Sequence, residues 1–298
     1  MIERWNRFWF RPASPHALIA ARFLLAFNAL WIVLSRPALP DLVRWPAIFW
    51  SDASLYTRIR FLIVPFPYGV EFALYALSVV ALLFVAAGKF VRPAAFASAV
   101  LLYHFADFEK IFSSSGSPFF RGLALPVSGL LIIAFAKVPR ASDESSPEYR
   151  WPLVLIQLLF AMTYLMSGIA KLRLVGISWF RPANFTGIVL AKMIPDAIPP
   201  WAQYVVDHPP LIALCAAGGI AIDFFTITAV FSRRAARIIV PITFIGHVLI
   251  MRILDVFFLN LPLLLLFVNW EWLFGARRER RGGSARAAEP GNAPAGTP

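Results

Sequence analysis

Apolar runs, each about as long as a bilayer is thick, follow one another along the chain, separated by short basic or proline-rich segments. A hydrocarbon core of about 30 Å needs roughly 20 helical residues. Runs of that size cover residues 16–35, 69–87, 93–112, 119–137, 151–172, 210–231, 236–253 and 256–273. The pattern predicts an all-α, polytopic bundle of about eight transmembrane helices over residues 1–275, its last two helices forming a tight hairpin. Arg4, Arg7 and Arg11 ahead of the first run superficially resemble a signal peptide. That run is long enough to span and no small-x-small cleavage site closes it, so it reads as an uncleaved first helix. Residues 276–298, opening Ala276-Arg277-Arg278-Glu279-Arg280-Arg281 and ending in Gly, Ala and Pro, read as a disordered basic tail.

Composition agrees with the pattern. Hydrophobic residues are 59% of the chain and charged residues 15%, with a mean hydropathy of +0.70. A soluble domain is usually about a quarter charged. The net charge of +12 would suggest nucleic acid in a soluble protein, but the basic residues sit in the connections and no aromatic-basic motif accompanies them. Nucleic acid is therefore not an expected partner. The charge instead sets orientation. With the N-terminus cytoplasmic, the inside connections and tail hold sixteen Lys and Arg residues and the longer outside loops hold seven. Both termini are expected on the cytoplasmic side, in what reads as a bacterial inner membrane. Cys215, the sole cysteine, excludes an intramolecular disulfide and any CxxC cluster. His104 and His247 are too isolated to suggest a metal.

Two outside loops, 36–68 and 173–209, are dense in Trp, Tyr and Pro, which suits segments lying in the interface; a short amphipathic helix is expected near 183–194. Ionisable residues inside the runs are the candidates for function, because each is costly in lipid unless it faces a partner or a wet cavity. Arg22 and Asp223 lie at similar depth, about 9 and 12 Å from the inner ends of their runs at ~1.5 Å per residue. They are expected to form an ion pair that locks two helices. The remainder gather in the outer half. His104 and Asp107 share a face of the third run, Arg121 opens the fourth, and Thr163, Ser167 and Lys171 stack at i,i+4 in the fifth with Tyr164 beside them. These imply an outward-facing polar pocket. His247, one turn from Thr243, can relay protons or join helices. A lysine kept out of water gives up its proton more readily and can act as a base. The competing role for Lys171 is snorkelling to the headgroups.

The stretch Tyr164-Leu-Met-Ser-Gly168-Ile-Ala-Lys171-Leu172, followed by Trp179, resembles the HTTM family, whose members are related to the membrane part of vitamin K-dependent γ-carboxylase. Arg22-Phe23 in the first run, Asp223 before the basic turn Arg233-Arg234-Ala-Ala-Arg237, and His247 before the closing Trp270 fit the same resemblance, which covers most of residues 1–275. It implies that Lys171, in the matching Gly-x-x-Lys-Leu motif, is the base that acts on a reduced quinone at the outer face. Two features depart from the carboxylase. Ser113-Ser-Ser-Gly116-Ser117-Pro118 stands where it has a functional histidine, and no large outer domain follows the last run. Peptidyl-glutamate carboxylation is therefore not expected.

The leading expectation is an HTTM-like membrane protein that binds or oxidises a quinone or lipid-like ligand in a pocket of His104, Asp107, Arg121, Tyr164, Ser167 and His247, with Lys171 as base. A non-catalytic membrane scaffold or lipid-binding partner of another protein is the alternative. A transporter is the second, against which stands the lack of an inverted repeat.

Overall fold

The computed structural model describes residues 2–36, 39–46, 65–106, 118–193, 200–254 and 258–270. Among these, all regular elements are helical, apart from an isolated antiparallel bridge between Ala13 and Ser146. The α-helices are α1 (Ile2–Phe10), α2 (Pro15–Leu34), α3 (Tyr68–Ala87), α4 (Val91–Ala106), α5 (Pro118–Phe135), α6 (Arg150–Val175), α7 (Pro182–Met193), α8 (Pro200–Val206), α9 (Pro209–Phe225), α10 (Thr228–Phe231) and α11 (Arg233–Leu254).

Five spans among the described residues are long and apolar enough to cross a membrane: α2, α3, α6 with its flanking 3-10 turns, α9 continued through α10, and most of α11. The chain is a multi-pass integral membrane protein. Helix α4 and the stretch 122–135 of α5 are apolar but shorter; residues 107–112 of the third predicted run lie outside the described residues. So do Asp107 and the basic tail 276–298. The surface confirms the solvent. On α2, Phe23, Phe27, Trp31 and Leu34 are all exposed while Ala21, Ala26 and Ala29 are buried. Phenylalanine and tryptophan side chains lie on the outer face, while alanines together with Leu18, Leu25 and Ile32 pack inward, an outer surface suited to lipid.

Local sequence explains where the helices begin and end. Ser14 caps α2, its hydroxyl accepting from the His16 amide, with Pro15 in the first turn. Helix α3 closes on Gly88 in the left-handed region (φ 74°), and the Lys89 amide reaches back to the Phe84 carbonyl. This turn folds α4 directly against α3. A helix is present at the expected position near 183–194, as α7. Helix α1 was not expected from the apolar pattern, because its arginines interrupt every run; Phe8 stacks on Phe231 at 5.2 Å and fixes it to the bundle.

The last run takes a different form from the expected helix. Between 258 and 270 the chain makes a 3-10 helix, Leu261–Phe267, that buries Leu263, Leu264 and Leu266 in the core. Seven residues at ~2.0 Å each rise only about 14 Å. Asn260, a turn former, and Pro262, which has no amide hydrogen to continue an α-helical ladder, account for the change.

Two predictions follow from the packing and the connecting turn. A β-carbon at Gly129 of α5 would meet Leu25 of α2 at 2.6 Å, whereas one at Gly69 would meet nothing. Gly129→Val is expected to destabilise the bundle by about 1–3 kcal/mol through overpacking, and Gly69→Ala to leave it unchanged, as read by thermal unfolding in detergent. Asp143 accepts from the Tyr149 hydroxyl at 2.6 Å and the Arg140 amide at 2.9 Å. The Tyr149 hydroxyl first, then the backbone amide, hold its carboxyl below the ordinary value of 3.8. A carboxylate lowered in the folded state stabilises above its unfolded pKa and ceases to do so as pH falls through the folded one. Hydrogen-exchange protection at the Ala13–Ser146 bridge is therefore expected to drop on acidification below about 4, and to lose this dependence in Asp143→Asn.

Candidate functional site

Helix α6 presents Gly168 and Lys171 one turn apart toward α9. A β-carbon at Gly168 would lie 2.8 Å from Asp223 Cβ and 3.0 Å from the Phe224 ring. Only glycine admits this approach, and it puts the Asp223 carboxylate within reach of Lys171. The Lys171 ammonium donates to Asp223 Oδ2 at 2.6 Å, with Asp223 nearly buried and Lys171 29% exposed. The Trp179 ring, on the 3-10 turn after α6, lies 5.3 Å from the ammonium, close enough for a cation–π contact. Burial of both groups is tolerated because each charge is answered. Lys171 is thus held inward by an acid and does not snorkel.

This arrangement corrects the expected Arg22–Asp223 pair. Asp223 is taken by Lys171, while the Arg22 guanidinium sits at the C-terminal end of α3, against Gly88. Equal depth in two runs says nothing about which faces meet; the missing side chain at Gly168 decides the partner.

One turn before Gly168, Tyr164 reaches a third helix. Its hydroxyl lies 3.3 Å from His247 Nε2 on α11, and His247 Nδ1 lies 2.7 Å from the Thr243 carbonyl. A carbonyl only accepts, so Nδ1 carries the proton and Nε2 accepts from Tyr164. Two polar pairs thus join α6 to its neighbours, Lys171–Asp223 to α9 and Tyr164–His247 to α11. Ser167 stands half-buried between them on α6.

His247 also lines an apolar cavity of ≈440 Å³, with Trp31 from α2, Phe244 and Met251 from α11, and Leu261 and Leu265 from the final segment. Ligand pockets are typically about 300–1,000 Å³, mostly apolar with a few polar groups that orient the ligand. Among the described residues His247 is the ionisable group in the wall. Lys171, Tyr164, Ser167 and His104 are not part of it, so the cavity differs from the expected polar pocket: it is greasy and bounded by the short final 3-10 helix.

His104 belongs to another pair. Its Nε2 lies 3.0 and 3.1 Å from the two Glu71 oxygens of α3, and Glu71 also accepts from the Phe66 amide at 2.7 Å. The structure thus separates two residues expected in one pocket. Asp107 lies outside the described residues, and Arg121 is on α5 with its side chain undescribed. Glu71, in the first turn of α3, belongs to no motif that would have singled it out in the sequence. Among the described residues no cluster of three or more His, Cys, Asp or Glu side chains is arranged to hold a metal.

No family model, curated protein or solved structure matches the chain.

Removing one partner of the buried pair strands the other. Asp223→Asn is expected to lower stability by about 2 kcal/mol, while the double variant Lys171→Met/Asp223→Leu regains most of the loss. Chemical denaturation of the three proteins in the same detergent reads the difference; equal stability of Asp223→Asn and wild type would show the pair to be inconsequential.

Proposed function

We propose that the chain is an HTTM-type protein of a bacterial inner membrane, with about eight crossings and both termini cytoplasmic, that binds a reduced quinone or another lipid-like amphiphile. The observation that carries this reading is the ≈440 Å³ apolar cavity with His247 in its wall, hydrogen-bonded through Tyr164 to the helix that bears Lys171. An apolar tail fills the greasy wall, and a polar head group meets His247. Nε2 already accepts from the Tyr164 hydroxyl, so a ligand hydroxyl that donates to it takes the place of Tyr164 there.

Lys171 is the base in this reading. Lys171 is not in the cavity wall, so a ligand hydroxyl meets it only where the head group extends past His247 toward α6; Asp223 then takes the ammonium proton and the free amine accepts the ligand's. The distribution of basic residues supports the orientation, and the Gly168-x-x-Lys171 motif supports the family. A second reading, a non-catalytic lipid-binding scaffold with a protein partner, is favoured by one observation: the Lys171 ammonium is already committed to Asp223 and Trp179.

Native mass spectrometry and solvent extraction of the detergent-purified protein separate these readings. Wild type is expected to retain one quinone-sized amphiphile. Leu265→Trp, which fills the cavity, and Lys171→Ala are each expected to reduce its occupancy at least about tenfold, in line with the loss of well over 1 kcal/mol of binding. Loss in Leu265→Trp alone supports the scaffold reading. Absence of any amphiphile from the wild type would sink both.

A further inference from the structure

We propose that the end of the bundle where α2 begins carries a phosphate-binding site built on Arg22. Arg22 is 8% exposed, and its Nε has no hydrogen-bond partner. The guanidinium lies so close over the α3–α4 turn that a β-carbon at Gly88 would fall 2.8 Å from Nη2. With Leu18, Val91, Ile133, Ala136 and Lys137 it lines a cavity of ≈10 Å³, room for about one water-sized oxygen. Among the described residues no acid is in that wall. Arg92 adds a second cation at the rim, its Nε donating to the Ala136 carbonyl at 3.1 Å, and Lys137 a third, held by Glu148 at 2.7 Å.

A buried guanidinium needs a counter-charge. The C-terminal end of α3 supplies about half an elementary charge, which leaves the remainder unanswered. A water molecule would satisfy Nε without neutralising anything. A phosphate oxygen does both, and its strong charge-assisted bonds suit an arginine. The depth of the site points to the source. The guanidinium lies against Gly88, the residue that closes the apolar span Tyr68–Ala87, so it is at the end of a span, the level at which lipid phosphates lie. The site takes the phosphate of an anionic lipid headgroup, one oxygen inserted and the others met by Arg92 and Lys137. It is independent of the amphiphile cavity.

Native mass spectrometry of the purified full chain tests this with phosphatidic acid against diacylglycerol of the same acyl chains. Wild type is expected to retain phosphatidic acid at least about tenfold better. Arg22→Gln is expected to remove most of that preference, Arg22→Lys to keep part, and Lys137→Gln to weaken it about threefold. Millimolar inorganic phosphate that displaces the lipid from wild type assigns the site to free phosphate as well; failure to displace assigns it to the headgroup alone. Equal retention of the two lipids by wild type, or a folded Arg22→Gln that retains phosphatidic acid like wild type, overturns the proposal. If Arg22→Gln does not fold, unchanged retention by Lys137→Gln overturns it.

Discussion

The hydrocarbon of a bilayer offers no hydrogen bonds, so a polar side chain buried on a spanning helix needs a partner. In this protein the partners come from distant elements. Lys171 meets Asp223 across α6 and α9, Tyr164 meets His247 across α6 and α11, and Glu71 meets His104 across α3 and α4. Asn28 of α2 donates to Asn260 of the final segment at 2.9 Å, joining residues 232 positions apart. Apolar helices in lipid gain little from burying more apolar surface, so these contacts and close packing at small residues fix which faces meet.

The Lys171–Asp223 pair depends on a residue with no side chain. Gly168 lets α9 approach until Asp223 Cβ is in van der Waals contact, and Lys171 at i+3 is then the nearest cation on the same face. The Gly-x-x-Lys spacing is therefore a packing device as much as a chemical one. This close crossing sets the Lys171–Asp223 pair, and Tyr164 on the same helix reaches His247.

Much of the fold was written in hydrophobic length. The first seven runs correspond to helices, because a helix that must satisfy its backbone in lipid has few alternatives. The partners of the charges were not legible in the same way. Arg22 and Asp223 matched in depth, but depth is one coordinate and pairing needs the helix faces too. Lys171 was singled out by its motif and is indeed in one of the two pairs on α6, and Tyr164 and His247 form the other. His104 read as a member of a looser set because sequence spacing does not reveal that α3 and α4 fold back through the Gly88 turn and bring Glu71 to it. Helix α1 escaped the apolar pattern because an interfacial helix is only half apolar.

The cavity exists because the final run does not become an α-helix. A full helix over 256–273 would bring bulky leucines around its whole circumference and close the gap beside α11. The 3-10 segment is slimmer and shorter, and Leu261, Pro262, Leu264 and Leu265 line space instead of filling it. Such backbone leaves carbonyls that an α-helix would have used. Gln157 of α6 donates to the Leu266 carbonyl at 2.7 Å, and the Trp270 indole donates to that of Leu265 at 3.0 Å. Irregular backbone at membrane depth is tolerated where it is buried in protein or lines a cavity, and here it does both. Gln157, Asn260 and Pro262 together maintain a void that a simple run of leucines would have erased, and His247 is the group they leave facing it.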